Sequence, residues 1–128
     1  TMIAVSRLIY AGHVTRYRNV RIVIGIGGAA LPFVVGRLRR NYALDRAGLG
    51  DPDAALAALY YDTLVHDSRS LRFLAEVVGA DRIILGSDMP FPIGDLEPMR
   101  VVDAANFSAG ERDSIRSGLA QRLFGLNR

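Results

Sequence analysis

Cysteine, lysine and tryptophan are absent from this chain of 128 residues, and histidine occurs only twice. The lack of cysteine excludes disulfide bonds and thiolate metal sites. No apolar run approaches the roughly 20 residues that a membrane-spanning helix needs. The segment from Thr1 to Ala4 also lacks the basic-then-apolar pattern of a signal peptide. We therefore expect a cytoplasmic protein without a membrane partner.

The composition is that of a folded domain with an uneven distribution of charge. Hydrophobic residues make up 50% of the chain and charged residues 23%, which disfavours disorder. Before residue 51, eight arginines accompany a single acidic residue, Asp45. These arginines are spread over predicted helices, turns and loops, without an aromatic platform or a recognition helix. We therefore expect no nucleic-acid partner.

Apolar, β-branched segments alternate with segments of helical periodicity along the chain. Strands are predicted over 20–26, 60–65 and 82–85, helices over 2–17, 29–40, 51–59, 68–78, 96–105 and from 109 onward, and a long loop over 41–53. This alternation is typical of an α/β fold with parallel strands and right-handed crossovers. Three strands alone leave two unpaired edges, which predicts a part of a larger sheet.

Several helix ends are marked by residues with capping roles. Pro32 lies in the first turn of its predicted helix, where a missing N–H group costs little. Asp67 is placed to cap the helix over 68–78, and Gly79 is placed to end it. Ser108 and Glu111 have the spacing of a capping box at the start of the last helix.

Asp88 is the most informative candidate for chemistry, because it lies just beyond the end of the last predicted strand in the segment RIILGSDMPFPIG (residues 82–94). Catalytic groups of α/β enzymes gather at the carboxyl ends of parallel strands. The residues alone leave three interpretations open: a metal ligand, a general base, or a cap of the proline-rich turn, which is the commonest use of such an aspartate.

Two other features carry weaker indications. Gly25, Gly27 and Gly28 follow the first predicted strand, but their spacing matches neither a dinucleotide-binding turn nor a P-loop, which also needs a lysine. His13 lies in a predicted helix, away from the strand ends, and is interpreted as an ordinary structural residue. Neither His13 nor His66 forms a catalytic triad or a cysteine–histidine pair with nearby residues.

Residues 60–98, and within them LVHDSRSL and GSDMPFPIG, resemble the carboxyl-terminal part of enzymes of amidohydrolase family 2, the decarboxylase branch of the amidohydrolase superfamily. The resemblance extends from about Ala4 to Leu126. It implies that residues 1–128 form a single partial domain: strands six to eight of a metal-dependent (β/α)8 TIM barrel, with their helices. It also implies a decarboxylase (carboxy-lyase) or hydrolase that acts on a small carboxylated molecule with a divalent metal, usually zinc.

The resemblance assigns roles to three residues. Asp88 matches the aspartate of strand eight, which is a metal ligand and a catalytic residue of these enzymes. Arg37, in the segment PFVVGR, matches an arginine that reaches across a homodimer interface to the substrate carboxylate. A planar guanidinium suits that role because it can donate two hydrogen bonds to one carboxylate. His66 matches a frequent family histidine and is placed either at the mouth of the site or in the turn that Asp67 caps.

The departures from the family pattern are as informative as the matches. Ile26 stands where the family has an acid–base histidine, and a hydrocarbon side chain cannot transfer a proton. The remaining metal ligands, a His-x-His pair and a further histidine, would lie before Thr1. Two hypotheses follow: part of a decarboxylase or hydrolase, or a non-catalytic remnant of such a barrel. Whether the chain is an enzyme stays open, and by itself we expect it to be inactive.

Overall fold

The computed structural model describes residues 1–126, which form short parallel strands surrounded by helices. The helices are α1 (Met2–Tyr10), α2 (His13–Arg16), α3 (Leu31–Leu44), α4 (Pro52–Ala58), α5 (Ser68–Val78), α6 (Met99–Asp103), α7 (Ala109–Asp113) and α8 (Leu119–Phe124). The strands are β1 (Val23–Ile24), β2 (Tyr60–Asp62) and β3 (Ile83–Ile84). Turns of 3₁₀ helix cover Ile26–Gly28 and Ala80–Arg82, and a π-helical turn, Ser114–Gly118, joins α7 to α8.

The three strands form one parallel sheet in the order β1-β2-β3. Val23 is in register with Tyr60, and Tyr61 is in register with Ile83. This topology confirms the predicted α/β fold with parallel strands. The strands are shorter than predicted, because each turns away from the sheet soon after its last paired residue.

The core lies between the sheet and the helices that pack on it. Tyr61, in the middle strand, is fully buried, and so are Leu31 of α3 and Leu71 of α5. Burial of a large apolar side chain contributes about 1.5–3 kcal/mol to folding. The predicted apolar stripe of the last helix is buried as well, through Ile115, Leu119 and Leu123.

The predicted helix over 2–17 is interrupted, so that prediction was too long. Gly12 has a left-handed backbone, with φ of 67°, and separates α1 from α2. Gly50 donates its amide to the carbonyl of Tyr10 at 2.8 Å. A Cβ atom on Gly50 would lie 2.3 Å from the carbonyl oxygen of Ile9. The loop before α4 therefore packs directly against the break, a contact that helical periodicity does not encode.

Other helix boundaries also differ from the prediction. Helix α3 continues to Leu44 and occupies the first part of the predicted loop over 41–53. Helix α6 begins only at Met99, because the segment before it forms a turn in which Asp95 Oδ1 accepts the amide of Glu97 at 2.8 Å. No helix within residues 1–126 is long and apolar enough to cross a membrane.

The predicted caps are confirmed. Asp67 accepts the amide of Ser70 at 2.8 Å at the start of α5, which ends at Gly79 with φ of 92°. Ser108 and Glu111 form both halves of the capping box of α7. These interactions join residues three positions apart, which is why sequence spacing alone predicts them.

Candidate functional site

Each of the three strands is followed by a turn that contains a non-glycine residue in the left-handed backbone region. Ile26 follows β1 with φ of 60°, His66 follows β2 with φ of 53°, and Asp88 follows β3 with φ of 56°. Left-handed backbone is uncommon outside glycine, and residues held in it cluster at functional sites. Because parallel strands end at the same edge, the three turns line one edge of the sheet.

Asp88 belongs to a loop that closes on itself after β3. Its backbone carbonyl accepts the amide of Phe91 at 3.0 Å, and the carbonyl of Ser87 accepts the amide of Asp95 at 2.7 Å. Backbone groups therefore close the turn, and the carboxylate of Asp88 is not the acceptor in either bond. Asp88 is partly exposed.

Ile26 occupies the strand-end position at a conformational cost. Its φ of 60° is a strong outlier for a β-branched residue, whereas histidine and asparagine tolerate this region better. The side chain remains 53% exposed, so burial does not offset that cost. Ala29, three residues later, has φ of 54° and ψ of −125°, a combination that favours glycine.

His66 is exposed between two open grooves. One groove has a volume of about 330 Å³ and is lined by His66 together with Ile26, Gly27 and Phe73 among others. The other, of about 760 Å³, is lined by Asp67, Asp95, Leu96, Glu97 and Arg100 among others. The structure therefore brings His66 and Ile26 to one groove, and His66 lies at a mouth between apolar and charged surfaces.

Asp62, the last residue of β2, has a central position that the sequence patterns did not single out. Its Oδ1 accepts the amides of Gly27 at 2.7 Å and Leu64 at 3.2 Å, and its Oδ2 accepts the amide of Ile26 at 3.1 Å. A polar residue at the end of an apolar strand was the available indication. Its partners in the 26–27 turn could not be read from spacing, because they lie 35 and 36 positions away.

Arg37 lies on the exposed side of α3, one helical turn after Phe33. The Phe33 side chain is 81% exposed, and its ring lies 5.1 Å from the ring of Phe73. The neighbouring Arg39 pairs with Asp53 at 2.7 Å, whereas Arg37 forms no ion pair with any acid of the described part of the chain. An exposed guanidinium beside an exposed ring is suited to an external carboxylate.

His13 begins α2, away from the strand ends, and its ring lies 5.7 Å from that of Tyr17. This position agrees with the interpretation of His13 as a structural residue. Tyr61 also lies outside the candidate site: its hydroxyl is buried without a hydrogen-bond partner among residues 1–126. Burial raises the pKa of Tyr61 far above its ordinary value, so the phenol stays neutral.

The described residues do not fit a metal ion by themselves. Residues 1–126 contain no group of three or more His, Asp or Glu side chains placed to hold one. A catalytic zinc site uses three protein ligands, and Asp88 would supply a single carboxylate. A metal ion at Asp88 therefore requires ligands from outside the described residues.

Comparisons with known proteins find relatives that match nearly the whole of this chain. The 2-amino-3-carboxymuconate-6-semialdehyde decarboxylase of Dictyostelium discoideum is 29% identical over 133 aligned residues, which cover 99% of this chain and 37% of that protein. The 2-keto-4-carboxy-3-hexenedioate hydratase of a Sphingobium species is 26% identical, with 95% of this chain and 38% of that protein covered. The chain thus spans about two fifths of the length of these relatives.

A solved structure shows the same fold. The 5-carboxyvanillate decarboxylase of Novosphingobium aromaticivorans, complexed with manganese and 4-hydroxy-3-methoxy-5-nitrobenzoic acid, superposes with a TM-score of 0.81 at 22% identity. The superposition covers 98% of this chain and 38% of that chain, which confirms the prediction of a partial TIM barrel. Residues 1–126 match the family described as amidohydrolase (Amidohydro_2). The chain therefore belongs to this amidohydrolase family.

Proposed function

We propose that this chain forms the carboxyl-terminal part of a metal-dependent decarboxylase that acts on a small carboxylated molecule. One observation carries the proposal: Asp88 follows the last of three parallel strands, at the edge where barrel enzymes hold their catalytic groups. The names of two relatives, both decarboxylases of carboxylated compounds, support the reaction class. The resemblance also implies hydrolysis as an alternative reaction. Because hydrolysis and decarboxylation yield different products, an activity assay distinguishes them.

Asp88 would contribute one carboxylate to the metal site of this enzyme. Manganese in the related decarboxylase supports a divalent ion, and zinc is the ion that the resemblance implies. A bound divalent ion supplies Lewis-acid polarisation of substrate oxygens. The described residues do not fit a metal ion by themselves, so further ligands would have to complete the site.

Arg37 would bind the carboxylate of the substrate. Its guanidinium stands on the exposed side of α3, where a second copy of the chain could receive it across a homodimer interface. Two parallel hydrogen bonds from the planar guanidinium would fix both oxygens of a carboxylate, which a lysine could not do.

Proton transfer is the step for which this sequence lacks the residue expected from the family. Decarboxylation breaks a carbon–carbon bond, leaves the electron pair on the substrate carbon and requires a proton for that carbon. Ile26 cannot provide the proton. His66 shares a groove with Ile26, so we propose His66 as the donor.

The test begins with the reading frame that encodes these residues, including any sequence before Thr1. We expect it to encode a His-x-His pair, and its purified product to hold one divalent ion and to release CO₂ from carboxylated aromatic substrates. Asp88→Asn should remove the metal ion, while Asp95→Asn in the same loop should not. Arg37→Gln should raise KM for the carboxylated substrate, and Arg40→Gln on the same helix should leave KM unchanged.

A non-catalytic remnant is the second candidate, and Ile26 is the observation that favours it. Ile26 supplies no acid–base group, although the turn that carries it has a left-handed backbone. A reading frame without His-x-His, together with a product that neither binds stoichiometric zinc or manganese nor releases CO₂, would establish the remnant. Turnover that appears only after Ile26→His would assign the loss of activity to that residue. Turnover in the wild type that disappears in His66→Gln would support His66 as the proton donor.

A further inference from the structure

We propose that Asp62 is the positioning residue of the candidate site, and that its carboxylate holds the turns after β1 and β2 at fixed places on either side of one groove. The proposal rests on the proposed function, because the two turns carry Ile26 and His66. Asp62 itself lines neither groove beside His66, so it would act through the backbone that it binds rather than on a substrate.

The first support is the set of donors around the carboxylate. Three backbone amides point at it, from Ile26, Gly27 and Leu64, at distances between 2.7 and 3.2 Å. Successive N–H groups in turn conformations form a concavity that binds anions. Within residues 1–126 no arginine forms an ion pair with Asp62. Backbone amides are therefore the partners that hold this charge.

The second support is the position of Asp62 in the sheet. It ends the middle strand, so its side chain can reach the turn after β1, while its own chain leads through Leu64 to His66. Ile26 and Gly27, from the turn after β1, line the shared groove together with Leu64 and His66, from the turn after β2. A single carboxylate therefore binds both chain segments that line the groove.

The third support is the space that neighbouring glycines leave. A Cβ atom on Gly27 would lie 2.3 Å from Cγ1 of Val65, and one on Gly86 would lie 2.9 Å from Cβ of Asp62. A Cβ atom on Gly25 would lie 3.5 Å from Oδ2 of Asp62. Glycine at positions 25 and 86 therefore leaves the space beside the Asp62 side chain free of other side-chain atoms.

The experiment compares wild type with Asp62→Asn by NMR, with Asp67→Asn as the matched control. Asparagine keeps the shape of the side chain but removes the charge and replaces one acceptor oxygen by a donor. We expect the amide proton resonances of Ile26, Gly27 and Leu64 to move upfield in Asp62→Asn, while that of Ser70 stays in place. Asp67→Asn should move the Ser70 resonance and leave the other three.

Hydrogen exchange gives the second readout. Loss of a hydrogen bond to a charged acceptor should speed exchange at Ile26 and Gly27 by about tenfold or more, with exchange at Tyr61 and Ile83 unchanged. A uniform acceleration would mean a general structural role and would overturn the proposal. Unchanged resonances at Ile26 and Gly27 would overturn it too. If Asp62→Asn does not fold, couplings across the hydrogen bonds to the Asp62 carboxyl carbon in the wild type decide the question.

These readouts need no metal ion and no turnover. Failure to detect metal or CO₂ release would defeat the proposed function and leave the contacts of Asp62 as measured. Failure of the amide readouts would defeat the positioning role alone.

Discussion

The buried hydroxyl of Thr63 binds the backbone of Gly86 twice. Its Oγ1 accepts the amide of Gly86 at 3.1 Å and donates to the carbonyl of the same residue at 3.4 Å. Thr63 is 1% exposed and follows β2, while Gly86 lies two residues before Asp88. The pair therefore ties the end of the middle strand to the loop that carries Asp88.

Thr63→Val should destabilise the protein by about 1–3 kcal/mol, because the substitution leaves two polar backbone groups of Gly86 without their partner. Urea unfolding followed by circular dichroism measures the change. Thr63→Ser is the matched control. It keeps the hydroxyl and loses one methyl group, which should lower the free energy of unfolding by about 1 kcal/mol. Equal stability of Thr63→Val and wild type would show that the hydroxyl has no net role.

Ala29→Gly should stabilise the protein by about 1 kcal/mol, because Ala29 has a left-handed backbone that glycine adopts without steric cost. Ala30→Gly is the control, since Ala30 has an ordinary φ of −85°. At position 30, glycine relieves no strain and adds conformational entropy to the unfolded chain. Ala30→Gly should therefore lower stability by up to about 1 kcal/mol. Thermal unfolding of both variants gives the comparison, and a destabilised Ala29→Gly would contradict the strain assigned to this turn.

Gly27→Ala should be strongly destabilising. The new Cβ would lie 2.3 Å from Cγ1 of Val65, and the residue has φ of 53°. Overpacking costs about 1–3 kcal/mol, and left-handed backbone costs roughly 1–2 kcal/mol. Gly110→Ala in α7 meets no atom within 4 Å and should be neutral or slightly stabilising. Chemical denaturation of the two variants separates a general effect of alanine from the local clash.

Acid should weaken the starts of α5 and α7. The amide of Ser70 holds the pKa of Asp67 below its ordinary value, and the amide of Ser108 does the same for Glu111. A lowered folded-state pKa stabilises the protein above the unfolded pKa of about 4, and this contribution is lost as the pH falls through the folded value. The free energy of unfolding should therefore fall below about pH 4.

Asp67→Asn and Glu111→Gln should flatten that acid dependence, because neither replacement titrates. Urea unfolding at a series of pH values measures the slope for each variant. Asp53→Asn serves as the comparison. Asp53 belongs to a different helix, α4, and pairs with Arg39 on the exposed surface. A wild-type curve without any fall below about pH 4 would count against the role of these caps.

The helix caps and the parallel topology could be predicted because their causes lie close together in the chain. Asp67 binds an amide three residues away, and alternation of strands with helices selects parallel pairing. Strand lengths were overestimated, since the turns that end them depend on partners in other strands. The break at Gly12 was missed for a similar reason: Gly50, on a distant loop, packs into it.

The sequence by itself determined the α/β class, the helix caps and the segment that places Asp88 after the last strand, because each depends on residues within a few positions of one another. It also determined that Ile26 brings no acid–base group. Only the tertiary structure decided that Ile26, His66 and Asp88 share a left-handed backbone at one edge of the sheet. The three amides around Asp62 likewise come from two different turns, and two of them approach only when the strands pair.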